Sequence, residues 1–108
     1  MSALLTVHTE RRDDGTLVLK AVGEIDMSNV ETLARALGNV TSEARDASER
    51  VTVDLSSVEY LDSAAINVLY NHTDDIRVIA NPLLMPAFTI SGLTQLAPVE
   101  PAPPDTNQ

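Results

Sequence analysis

The chain has 108 residues, 44% of them apolar, which suits a single domain with its own core. Sixteen acidic residues against seven basic ones give a formal charge of -9, and with no basic cluster to override it this excludes the usual electrostatic footprint of a DNA- or RNA-binding protein. The absence of cysteine removes disulfides, thiolate metal sites and thiol nucleophiles, and one Phe, two Tyr and no Trp leave little surface for base stacking.

In chain order, Leu4 to Thr9 and Thr16 to Gly23 are predicted strands, rich in Val, Leu and Thr. Arg11-Arg12-Asp13-Asp14-Gly15 lies between them, and Asp-Gly is a hairpin-turn signal, so the pair is expected to run antiparallel. Ser28 and Glu31 have the spacing of a capping box. Val30, Leu33, Ala34 and Leu37 then share one helical face, predicting a helix to Gly38 with an extension towards Ala44. Thr41 to Arg50 reads as a helix end and a solvated loop. Val51 to Leu55 is a short apolar strand of the kind found in the middle of a covered sheet.

A second helix is predicted from Ser63 to Asn71, with Ile66, Leu69 and Tyr70 on one side, and Asn71 to Asp75 breaks it. Ile76 to Ala80 is the next strand, ended by Asn81-Pro82. Met85 to Ser91 is a last short helix, with Gly92 placed as its C-cap. From Pro98 onward the chain carries four of its six prolines and reads as a disordered tail, giving a domain over 1–97 and a tail over 98–108. The order β-β-α-β-α-β-α predicts an α/β fold, a mixed sheet of four to five strands backed by three helices.

No apolar run approaches the roughly 20 residues of a membrane span. Met1 to His8 lacks the basic segment and long apolar core of an export signal, so a cytoplasmic location is expected. The acidity reads as solubility or as steering towards a basic partner surface. Enzymatic signatures are missing. There is no Gly-rich phosphate loop, Lys20 is the single lysine, and no G-x-S-x-G elbow occurs. Ser63 and His72 are separated by about 13 Å along a straight helix, too far for a nucleophile–base pair. His72, Asp74 and Asp75 read as a solvated turn, and with His8 far away in an early strand no zinc site is expected. Neither a cofactor nor a catalytic residue is expected.

Five short motifs carry a resemblance: Gly23-Glu24-Ile25-Asp26, Val53-Asp54-Leu55-Ser56-Ser57-Val58, Leu61-Asp62-Ser63-Ala64-Ala65, Ile79-Ala80-Asn81-Pro82 and Ile90-Ser91-Gly92-Leu93. Their order and spacing over residues 4–99 resemble the STAS-domain anti-anti-sigma factors, also called anti-sigma factor antagonists. The resemblance implies a non-enzymatic module that binds a serine-kinase-type anti-sigma factor and releases a sigma factor for transcription. It places the docking surface on Asp26, Met27 and Ser28 together with Asp62, Ser63, Ala64 and Ala65. In the phosphorylated members of that family the acceptor lies two residues after the Asp, which here is Ala64 and has no hydroxyl.

Ser63 is the adjacent hydroxyl, either a helix N-cap or a surrogate phosphorylation site. Asp26 reads either as part of the docking surface or as an acid favouring the first helix through its dipole. Asp62 reads likewise as docking residue or cap, and Met27 as exposed anchor or buried gap-filler. Two other functional classes stay open. One is a STAS regulatory subunit of a membrane transporter or signalling scaffold, which needs no phosphoacceptor. The other is a small-ligand or nucleotide sensor using the helix mouth as an anion site.

Overall fold

A computed structural model of the chain describes residues 4–46 and 49–103. The elements are β1 (Leu5–Arg11), β2 (Leu17–Ile25), α1 (Val30–Asp46), β3 (Val51–Leu61), α2 (Ser63–Tyr70), β4 (Ile76–Ala80), α3 (Met85–Ser91) and β5 (Val99–Pro101). Two 3-10 turns, Pro82–Leu84 and Leu93–Gln95, flank α3. The sheet runs in order β1-β2-β3-β4-β5, with β1 antiparallel to β2 and all other neighbours parallel. This is the expected α/β architecture, a mixed sheet with three helices.

Each step from β2 onward moves one place in the same direction, so right-handed crossovers put every helix on one face. Burial follows that rule. Leu17, Leu19 and Ala21 of β2, Val51, Val53 and Leu55 of β3, and Ile76, Val78 and Ala80 of β4 alternate into one core. They meet Leu33, Leu37, Val40 and Ala44 of α1, Ala65 and Leu69 of α2, and Phe88 of α3. Among the described residues the opposite face is left without a helix, and it carries the even-numbered residues of β1 and β2, among them exposed His8 and Val22.

The hairpin turn forms where Asp-Gly predicted it. Gly15 adopts φ +91°, its N–H donates to the Arg12 carbonyl at 2.8 Å, and Thr16 N–H donates to Asp14 Oδ1 at 2.9 Å. Two elements run longer than the sequence indicates. α1 continues to Asp46 because Val40, Thr41 and Ala44 are buried, with Thr41 Oγ1 donating to the Leu37 carbonyl at 2.7 Å. β3 continues to Leu61 through an irregularity at Ser56, where Asp54 Oδ1 accepts from Ser56 N–H at 3.0 Å and Oγ–H at 2.6 Å. A second shift follows at Glu59, between the Gly23–Val58 and Glu24–Tyr60 pairs, and together the two re-phase the strand, so Leu55, Val58 and Leu61 are all buried at a spacing that does not read as β.

The tail expected from residue 98 begins instead as an edge strand. Val78 N–H donates to the Pro98 carbonyl at 2.8 Å, and Ala102 N–H donates to the Ala80 carbonyl at 2.7 Å. Proline is compatible with β5 because Pro101 sits where the N–H would point away from β4. Residues 104–108 of that expected tail lie outside the described residues.

At the far end of the strands, Arg45 donates to Asp75 at 2.7 Å and holds its carboxyl below the usual carboxylate range. Half-buried His72 stands 3.5 Å from Thr41 Oγ1, and burial pushes its pKa below the ordinary 6.5. Both shifts act in one direction. On acidification the unfolded chain takes up protons before the folded one, so stability falls. The His72 loss starts as pH drops below about 6.5, and the Asp75 contribution disappears as pH falls through its depressed value, under 3.8. Thermal melts across this range should show Tm declining with acid, and His72→Gln should flatten the upper part of the decline.

Candidate partner-docking site

β2 and β3 end side by side. Ile25 pairs with Leu61, and Asp62 N–H donates to the Ile25 carbonyl at 3.2 Å. The segments that follow therefore leave the same end of the sheet next to each other. This brings Asp26, Met27 and Ser28 together with Asp62, Ser63 and Ala64, residues far apart in sequence.

Asp26 organises the first segment. Its Oδ1 accepts from Ser28 N–H at 2.8 Å and Ser28 Oγ–H at 2.5 Å, and its carbonyl accepts from Asn29 N–H and Val30 N–H. Asp26 N–H donates to Asn29 Oδ1 at 3.0 Å, while Asn29 Nδ2 reaches back to the Glu24 carbonyl at 2.9 Å. The capping box read from Ser28 and Glu31 does not form, because both donors of Ser28 are directed to Asp26 and α1 starts at Val30. The bonds from Ser28 hold the Asp26 carboxyl below its ordinary pKa. Met27 stands out of this turn, 80% exposed, so it is no gap-filler.

The second segment opens α2. Asp62 is its N-cap, with Oδ1 accepting from Ala64 N–H at 3.0 Å and Ala65 N–H at 3.3 Å. The cap role considered for Ser63 thus belongs to Asp62, which satisfies two otherwise orphaned donors. Ser63 is exposed, and among the described residues its hydroxyl has no partner. Ala64 is half-buried. Ala65 does not lie on the surface at all: its side chain is fully buried in the core, so it supports the helix mouth from beneath and offers no exposed side chain for docking. Asp62→Ala should cost about 1 kcal/mol of stability, whereas Ser63→Ala should stay within about 0.5 kcal/mol; urea unfolding of both variants checks the assignment.

A third contributor escaped the sequence reading. After β4, Asn81 Nδ2 donates to the Val58 carbonyl at 3.1 Å and Asn81 Oδ1 accepts from Leu83 N–H at 3.0 Å. This fixes the 3-10 turn at the same end of the sheet and leaves Leu83 78% exposed. The sequence signal was an Asn-Pro pair, which marks a strand end without saying that an apolar side chain will stand beside it. No charged residue occurs from Ser63 to Thr73 or from Ala80 to Val99, and Leu83, Ile90 and Leu96 are exposed within the second stretch. On the other flank lie Glu24, Asp26, Glu31 and Asp62. The end of the sheet is therefore acidic on one side and neutral and apolar on the other.

His72 sits at the opposite end of α2 from Ser63, against Thr41, so the two form no catalytic pair. Among the described residues no group of three His, Asp or Glu side chains could hold a metal ion, and no helix is long and apolar enough to cross a membrane.

The profile of a family described as "Mlab, STAS domain" matches residues 8–98. The chain belongs to the STAS-domain family. The crystal structure of an anti-sigma factor antagonist from Mycobacterium paratuberculosis is similar at a TM-score of 0.79 and 28% identity, covering 90% of this chain and 86% of that one. The anti-sigma factor antagonist SpoIIAA in its unphosphorylated form matches at a TM-score of 0.66 and 18% identity, covering 91% and 89%. Its Bacillus phosphorylated form matches at 0.60 and 17%, covering 91% and 92%. No curated protein matches the sequence.

Proposed function

We propose that this STAS domain is an anti-sigma factor antagonist, a binding module that catalyses no reaction. Its partner is an anti-sigma factor of the serine-kinase type, whose capture frees a sigma factor for transcription. The observation that carries this reading is the joining of the Asp26–Ser28 turn and the Asp62–Ala64 helix mouth at one end of the sheet, with Met27 projecting beside them. Similarity to solved anti-sigma factor antagonists supports the general role.

The kinase-type partner follows from the resemblance and not from the geometry. Ala64 offers no acceptor oxygen, so phosphorylation at that position is impossible here. Ser63 is the accessible hydroxyl next to it. A phosphate there would add about -1.5 to -2 charges at a helix start whose free N–H groups favour anions. Ala64 also fits a second reading, a STAS subunit that regulates a transporter and is never switched by phosphate.

Immobilised full-length protein, incubated with lysate of its own source, separates the two. Recovery of a protein with a serine-kinase ATP-binding domain, identified by mass spectrometry, supports the antagonist. Recovery of a transporter ATPase in its place overturns it. Intact mass after incubation with the recovered kinase and ATP then decides Ser63, since an unmodified Ser63 peptide would remove it as a phosphorylation site.

A further inference from the structure

α3 is apolar on both of its faces. Leu84, just before it, and Phe88 point into the core. On the other side Leu83, Pro86 and Ile90 are exposed and Ala87 is half-buried, at the i, i+3, i+4, i+7 spacing of one helical stripe. The 3-10 turn Pro82–Leu84 leads straight into the helix, so Leu83 belongs to that stripe. Leu83 is 78% exposed and Ile90 86%. The polar side chains of α3 are Thr89 and Ser91, and Ser91 Oγ is turned back onto the Phe88 carbonyl at 3.0 Å. Isolated apolar residues on a surface are ordinary. A helix that is apolar all round belongs in a buried setting.

The stripe starts at the docking end and runs down the molecule from it. The turns after β2, β3 and β4 lie in that order across this end, so Leu83 stands next to the α2 mouth. Tyr70, which closes α2, donates to the carbonyl of Ser91, which closes α3, so the two helices descend side by side. Neither helix carries a charged residue. We infer that this stripe is covered by the same anti-sigma factor that the docking end binds, through an apolar strip about 10 Å long, the rise of seven helical residues, with no charged side chain on it. The identity of that partner rests on the proposed function. The stripe is continuous with the docking end through Leu83. A stable protein interface takes about 800 Å² and roughly 20–30 residues from each side, and the three turns alone present far fewer, so the contact has to spread down a flank. The α1 flank shows Glu31, Arg35 and Glu43 to solvent, where charges are at home, whereas the α3 flank shows none. A second copy is the poorer occupant, because two chains each carrying a net charge of -9 repel.

Hydrogen exchange of the full chain, free and bound to the recovered anti-sigma factor, tests this together with the affinities of two variants. Protection on binding is expected over residues 83–91 as well as over 26–28 and 62–66. Ile90→Gln should weaken binding about tenfold, nearly all of it through faster dissociation, with an unchanged Tm because the side chain stands in water. Ile90→Leu, which keeps the apolar volume, should bind within about twofold of the wild type. Absence of protection over 83–91, or wild-type affinity in Ile90→Gln, overturns the inference; with protection retained over 26–28 and 62–66, the proposed function stands without it. Recovery of a different partner, or of none, overturns both. A concentration-dependent dimer that Ile90→Gln abolishes gives the stripe to a second copy and overturns the inference alone.

Discussion

An Ala64→Asp variant is expected to fold as stably as the wild type and to bind the proposed anti-sigma factor partner about 100-fold more weakly, or worse. The two halves of this expectation have separate causes. Position 64 lies in the first turn of α2, where a carboxylate interacts favourably with the helix dipole by about 0.3–1 kcal/mol. At a docked surface the same carboxylate has to lose its hydration beside Asp62, and an unpaired or like-charged group there costs several kcal/mol. Each 1.4 kcal/mol is tenfold in affinity. Titration calorimetry against the recovered partner, with thermal melts of the same preparations, reads both halves. Undiminished affinity would move the docking surface away from the α2 mouth while leaving family membership intact.

Phe88→Ala is expected to lower stability by about 3–5 kcal/mol, a large part of the 5–15 kcal/mol typical of a domain. Phe88 is the single Phe, fully buried, and the one fully buried side chain of α3. A seven-residue helix does not hold itself in water, so α3 depends on that anchor. Half-buried Met85 and the buried Leu84 and Leu93 on either side add apolar contacts, and the polar ties are the Tyr70 hydroxyl donating to the Ser91 carbonyl, Ser91 Oγ donating to the Phe88 carbonyl at 3.0 Å, and Gly92 ending the helix at φ +83°. A Tm lower by roughly 12 °C or more is expected, with Phe88→Leu losing markedly less because it fills most of the cavity. A small Tm change would mean that α3 is held by something other than its buried ring.

The elements with strong local signals were legible from residues alone. Ile76–Ala80 and Met85–Ser91 match the sequence reading at both ends, because an apolar run closed by Asn-Pro and a helix closed by Gly leave few alternatives. β5 was hidden because four prolines imitate a tail, while an edge strand needs only one bonded side. Irregularities at Ser56 and Glu59 hid the second half of β3, since a register shifted twice replaces the alternation that marks a strand. At the site, the adjacency of Asp26 and Asp62 came from resemblance and not from pattern, as strand pairing between distant segments leaves no trace in local periodicity. Ser28 was read as a cap because the capping box scores side-chain types, and the nearer acceptor on Asp26 won the hydroxyl. Ala65 was read as surface because small residues at helix starts carry no signal of which way they face.

In the proposed complex, the unequal flanks of this end of the sheet divide the labour of association in time. Acidic side chains around Asp26 and Glu31 act over a Debye length, about 8 Å at physiological salt, and so govern how often a basic partner arrives in the right orientation. Leu83 and its uncharged surroundings act only on contact, and so govern how long the partner stays. Added salt should therefore slow arrival with little change in residence, and Leu83→Ala should shorten residence with little change in arrival.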